Sequence, residues 1–134
     1  PDDELRRRLV PASHALPLQE LMRDAISYQE LTGRRVTYEY VLLGNVNDSL
    51  DEASRLGSLL RGQLCHVNLI PYNPVSGLDY SGATASHMTK FRDTLESCGI
   101  AVTIRKPRGC DIAAACGQLR TTYEKQGHMM PRVF

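Results

Sequence analysis

Three runs rich in β-branched and aromatic residues punctuate this chain: residues 35–43 (RVTYEYVLL), 65–72 (CHVNLIPY) and 101–106 (AVTIRK). Between them lie segments whose apolar residues recur at helical spacing, joined by short polar connections. Strands of that kind have the composition of buried pleated surface. Strand, helix, strand, helix, strand with connections this short predicts βα repeats and a parallel sheet, because two parallel strands need a crossover between them. The fold class is therefore α/β, and the run at residues 35–43 reads as a buried strand. A parallel sheet this thin needs cover on both faces, so the chain reads as half of something larger.

Local signals place the helices. Residues 2–9 carry acids in the first turn and arginines in the last, matching the helix dipole, and Val10 before Pro11 ends the run. Leu18, Leu21, Met22, Ala25, Ile26 and Gln29 share a helical face that Gly33 closes. After the turn cluster at residues 44–48, Ser49 followed by Glu52 forms a capping box for a helix reaching Leu60. Asn73 and Pro74 stop the second strand, and a loop with Gly77 and Gly82 leads to a helix over about residues 84–98 that Gly99 ends. Asp111 is placed to cap a short helix up to Gly117, and residues 121–134 read as a loose polar tail.

With 134 residues, 16 Lys and Arg against 15 Asp and Glu, and a net charge of +1, the chain fits about one domain and shows no global field for nucleic acid. No apolar run approaches the ~18 residues of a membrane span. The four cysteines, Cys65, Cys98, Cys110 and Cys116, match neither a disulfide framework nor a zinc ribbon, which points to reduced thiols in the cytoplasm. The histidines His14, His66, His87 and His128 lack metal-ligand spacing and are given surface or satisfied-core roles. Walker, dinucleotide-binding, nucleophile-elbow and zinc-protease motifs are absent. The sequence opens at Pro1 without an initiator Met and reads as a piece of a longer protein.

In parallel α/β architectures ligands bind where the strands end. That rule gathers three candidates on one rim. Asn73 ends the second strand, and is either a turn former or an amide for a small polar ligand. Arg105, Lys106 and Arg108 end the third, as a solvated strand end or as phosphate contacts. Cys116 follows, among small residues and before Gly117, where a bulky partner can reach the sulfur; its alternative is an inert small residue. Glu39, within the first strand, is read as ion-paired, and Cys65 and Cys98 as buried small hydrophobes.

The runs VTYEYVLL (36–43), NVND (45–48), HVNLIPYNP (66–74), RKPRG (105–109) and AACGQL (114–119) together resemble one family. It is the radical-SAM, dual-specificity RNA methyltransferase family acting on adenine C2 of 23S rRNA and tRNA. The likeness spans residues 1–120 and implies the C-terminal half of a partial parallel (β/α)6 radical-SAM barrel. It further implies S-adenosylmethionine and a 4Fe-4S cluster as cofactors, 23S rRNA and tRNA as substrates, and a flavodoxin or ferredoxin as reductant. Cys116 matches the residue that carries the methyl group as S-methylcysteine, and Asn73 matches a contact to S-adenosylmethionine. The Cys-x-x-x-Cys-x-x-Cys that binds the cluster does not occur in this sequence. Two rival readings stand: the related adenine-C8 methyltransferase branch that confers antibiotic resistance, and a non-catalytic α/β module binding RNA or a partner through its basic rim.

Overall fold

The computed structural model describes residues 1–10 and 16–106. The elements run α1 (Asp3–Leu9), α2 (Leu18–Thr32), β1 (Val36–Leu42), α3 (Leu50–Leu60), β2 (Cys65–Pro71), α4 (Ala85–Ser97) and β3 (Ala101–Ile104). The strands form one parallel sheet in the order β1-β2-β3, as the alternation of elements predicts. The expected helix over residues 111–117 and the tail at 121–134 lie outside the described residues.

Capping follows the sequence closely. Asp2 accepts from Leu5 N at 2.7 Å, Ser49 from Glu52 N at 3.1 Å and Thr84 from His87 N at 3.2 Å, each satisfying an N–H that the first turn leaves free. The capping box is half made, because the Glu52 carboxylate turns to the N-terminal nitrogen of Pro1 at 3.1 Å and to Arg55. Gly33 (φ 64°) and Gly99 (φ 82°) end α2 and the turn after α4 in the left-handed region, where a side chain is strained.

The core lies between one face of the sheet and the helices. Leu42, Val67 and Leu69 are fully buried against Ala53, Leu56 and Leu60 of α3, Phe91 and Leu95 of α4, and Met22 of α2. Phe91 stacks on Tyr40 with ring centroids 5.3 Å apart. Burial of six such large side chains, at about 1.5–3 kcal/mol each, makes this face the main source of stability.

One expectation is corrected. The first strand is not buried throughout: along β1 burial alternates, with Thr37, Glu39 and Val41 exposed between the covered Tyr38, Tyr40 and Leu42. The register puts Thr37 beside His66 and Ala101, and Glu39 beside Asn68 and Thr103, so polar side chains dominate one face of the sheet, with Val41 and Ile70 at its rim end. Period-two alternation is the pattern of a strand covered on one side only. Helix α2 forms over Leu18–Thr32 and Gly33 closes it, as the spacing predicts. Only Met22 is buried, Leu18 and Leu21 are partly covered, and Ile26 and Leu31 point outward.

Candidate functional site

Parallel strands deliver their C-terminal ends to one rim. There the β1–α3 turn, the loop after β2 and the end of β3 meet. The turn is shaped by Asn47, whose buried amide accepts from Leu43 N at 2.7 Å and donates to Val41 O at 2.9 Å. Tyr40 donates its hydroxyl to Asn47 O at 3.1 Å. Burial, followed by the neighbouring Glu52 carboxylate, pushes the Tyr40 phenol well above its ordinary value, so it remains a donor. Asn45 takes a positive φ of 58°, a conformation asparagine tolerates, and donates its N–H to Asp48 at 2.9 Å.

This turn is joined to the loop that carries Asn73. Gly44 N donates to Ser81 O at 2.8 Å, Leu43 forms an antiparallel bridge with Gly82, and buried Asp48 meets His87 Nδ1 at 3.0 Å. Asn73 sits just beyond β2, exposed at the edge of this assembly and engaged in an interaction of its own. His87 thus has a defined role that its isolated place in the sequence did not disclose.

On the polar face below the rim, Glu39 accepts from Asn68 Nδ2 at 2.9 Å and has Arg105 at 3.7 Å. The reading of Glu39 as ion-paired therefore holds. His66 Nε2 lies 2.9 Å from Thr103 Oγ1, while its Nδ1 is buried without a partner. A row of carboxylate, amide and guanidinium offers both charge signs to a small polar ligand. Arg105 keeps 60% of its side chain exposed beside Glu39, and Lys106 is exposed. Arg108 and Cys116, and with them Cys110, His14 and His128, lie outside the described residues.

The other thiols are poor nucleophiles or packing groups. Burial raises the Cys65 thiol above its ordinary 9.0, and Cys98 packs against Gly57, leaving no room for a methyl group there. Cys98 is nevertheless only partly buried, less than expected. Among the described residues no three His, Cys, Asp or Glu side chains come together as a metal site. No described helix is long and apolar enough to cross a membrane. A cavity of about 480 Å³ runs along β1, lined by apolar groups such as Leu5, Leu9, Leu21, Val41 and Tyr72. Asp2, Arg6 and Glu39 also line it, so the cavity shares the Glu39 carboxylate with the polar face.

Asn73, Arg105 and Lys106 thus share one rim as predicted. Sequence reasoning missed Asn47, Asp48, His87 and the glycines at 44 and 82. The turn-forming run NVND was the single available signal, and it marks a turn without naming its partner.

No protein-family model matches the chain. A probable dual-specificity RNA methyltransferase RlmN from Symbiobacterium thermophilum is 49% identical over 130 residues, 96% of this chain and 35% of the relative. Its counterpart from Synechocystis sp. is 46% identical over 94% of this chain and 36% of its own length. A radical SAM methyltransferase from Sphaerobacter thermophilus superposes with a TM-score of 0.83 at 47% identity, over 87% of this chain and 34% of that one. A domain of a pyruvate-formate lyase-activating enzyme from Bacteroides vulgatus shares the fold at a TM-score of 0.62 and 14% identity. The chain spans about a third of the length of the curated relatives it matches.

Proposed function

We propose that this chain, a relative of the radical SAM, dual-specificity RNA methyltransferases along almost its whole length, is the part of such an enzyme that carries its methyl-accepting thiol. The observation carrying this reading is the joint match in sequence and shape, 47% identity at a TM-score of 0.83. Residues 1–120 are the C-terminal part of a radical-SAM core barrel in this reading, with 121–134 as a tail.

S-Adenosylmethionine suits the polar face, where the Glu39 carboxylate and the Asn68 amide lie together and Asn73 offers an amide at the rim. The Cys116 thiolate attacks the sulfonium methyl group. The S–CH3 bond of the cofactor breaks, a Cys116 Sγ–CH3 bond forms, and S-adenosylhomocysteine leaves; sulfur is suited because the thiolate is a strong nucleophile near neutral pH. Transfer onward to adenine C2 draws on radical chemistry that a 4Fe-4S cluster supplies, and none of the described residues is arranged to hold one. Arg105, Lys106 and Arg108 contact RNA phosphates, with Arg105 also tied to Glu39. RNA as substrate makes the cytoplasm the working compartment, with a flavodoxin or ferredoxin as electron donor.

The test is product analysis. Full-length protein, S-adenosylmethionine, a reducing system and tRNA or a 23S rRNA segment are expected to yield 2-methyladenosine by nucleoside mass spectrometry. 8-Methyladenosine would assign the protein to the C8 branch, and absence of any methylated adenine would refute a methyltransferase.

A further inference from the structure

Asn73 stands at the end of an unusually tight series of backbone contacts. A Cβ placed on Gly82 would lie 2.8 Å from Tyr72 O, the carbonyl of the peptide that leads into Asn73. A Cβ on Gly44 would lie 2.8 Å from Gly82 O and 2.9 Å from Ser81 Oγ. Both separations fall about 0.6 Å short of the 3.4 Å at which ordinary contact begins. In each case the main obstacle is backbone, which cannot swing aside as a long side chain would.

Neither glycine has a positive φ, unlike Gly33, Gly62, Gly77 and Gly99. Alanine is therefore conformationally acceptable at both positions, and only space demands glycine. The demand arises because Gly44 N donates to Ser81 O at 2.8 Å and Leu43 bridges Gly82, drawing the two loops to backbone contact. Asp48 and His87 close the same junction at its far side.

We propose that Gly44 and Gly82 are positioning residues for Asn73: by letting two rim loops meet backbone to backbone, they set the peptide plane from which Asn73 meets the cofactor. The proposal rests on the reading of Asn73 as a contact to S-adenosylmethionine. An added methyl on Gly82 drives the Tyr72–Asn73 peptide away directly, and one on Gly44 acts through it by pushing on Gly82 O and Ser81 Oγ. Gly57 is the contrasting case. There a Cβ would lie 2.6 Å from Cys98 Sγ, within α3–α4 packing, so substitution strains the fold without touching the rim.

The experiment is anaerobic titration calorimetry of S-adenosylmethionine into the full-length, cluster-loaded protein, with melting curves and RNA-binding isotherms for each variant. Since a 1 Å misplacement can cost ~100-fold, Gly82→Ala and Gly44→Ala are expected to weaken cofactor binding about tenfold, in variants that melt lower but stay folded and bind RNA near the wild-type level. Gly57→Ala lowers the melting temperature and leaves cofactor affinity unchanged. Asn73→Ala weakens binding, and Asn73→Ala with Gly82→Ala binds no more weakly than Asn73→Ala alone, because the glycine acts through Asn73. Wild-type affinity in both glycine variants overturns the proposal, as do additive losses in the double variant. If neither glycine variant folds, the junction supports the fold and the proposal also fails. If Asn73→Ala binds normally, the reading of Asn73 itself fails, a result distinguishable from a failure confined to the glycines.

Discussion

Replacing Asn47 by alanine removes the side chain that shapes the β1–α3 turn, and its cost can be worked out bond by bond. Asn47 Oδ1 satisfies Leu43 N at 2.7 Å, and Nδ2 satisfies Val41 O at 2.9 Å, while the residue keeps only 6% of its surface exposed. Its backbone carbonyl, which receives the Tyr40 hydroxyl, survives the change. Truncation leaves one backbone donor and one acceptor without partners, at about 1–3 kcal/mol for each buried group. Some relief comes from water reaching the rim, so the expected loss is about 3 kcal/mol. For a chain of this size that corresponds to roughly 10 °C in Tm. Urea denaturation followed by circular dichroism measures it, with the midpoint falling at unchanged slope. A loss under about 1 kcal/mol would refute the reasoning, since it would mean that these two bonds do not hold the turn.

Three further outcomes are expected. Gly57→Ala costs about 1–3 kcal/mol by crowding Cys98, and Cys98→Ala in the same chain restores part of it, a non-additivity measurable by denaturation. Because burial raises the Cys65 thiol above 9.0, the folded state keeps a proton that the unfolded chain releases. The contribution is intact below the ordinary value and is lost as pH rises toward the raised one; Cys65→Val should flatten the fall in denaturation midpoint between about pH 8 and 10, and an unchanged slope would contradict this. Finally, the isolated 134-residue chain exposes Leu31 (86%), Leu78 (55%) and Val41 (42%), and among the described residues β1 pairs on one side only. It should self-associate in sedimentation velocity runs at about 100 µM, and a monodisperse monomer would contradict that.

The order of elements was legible because it rests on local signals. Ser49, Thr84, Gly33 and Gly99 act within three or four residues of themselves, and the strand runs have the right composition. The open face was also written in the sequence, as alternation of Thr37 and Glu39 with Tyr38 and Tyr40, but the aromatic content of the run suggested burial instead. Asn73 and Arg105 were placed by the rule that strands end at the binding rim. The junction that fixes the rim was not legible. His87 finds Asp48 across 39 residues, and Gly44 matters only because Ser81 and Gly82 fold onto it. Nothing in the spacing of those residues foretells a backbone contact, which arises when two loops are brought together by neighbouring strands.

The central claim concerns the sulfur of Cys116, and mass spectrometry reads it directly. Full-length protein is incubated with methyl-labelled S-adenosylmethionine and reductant, then digested, with Cys116→Ala as the comparison. The account predicts the label on the peptide containing Cys116 in the wild type, and no methylated adenine from Cys116→Ala. Labelled adenine from Cys116→Ala, with the Cys116 peptide of the wild type unlabelled, would contradict it.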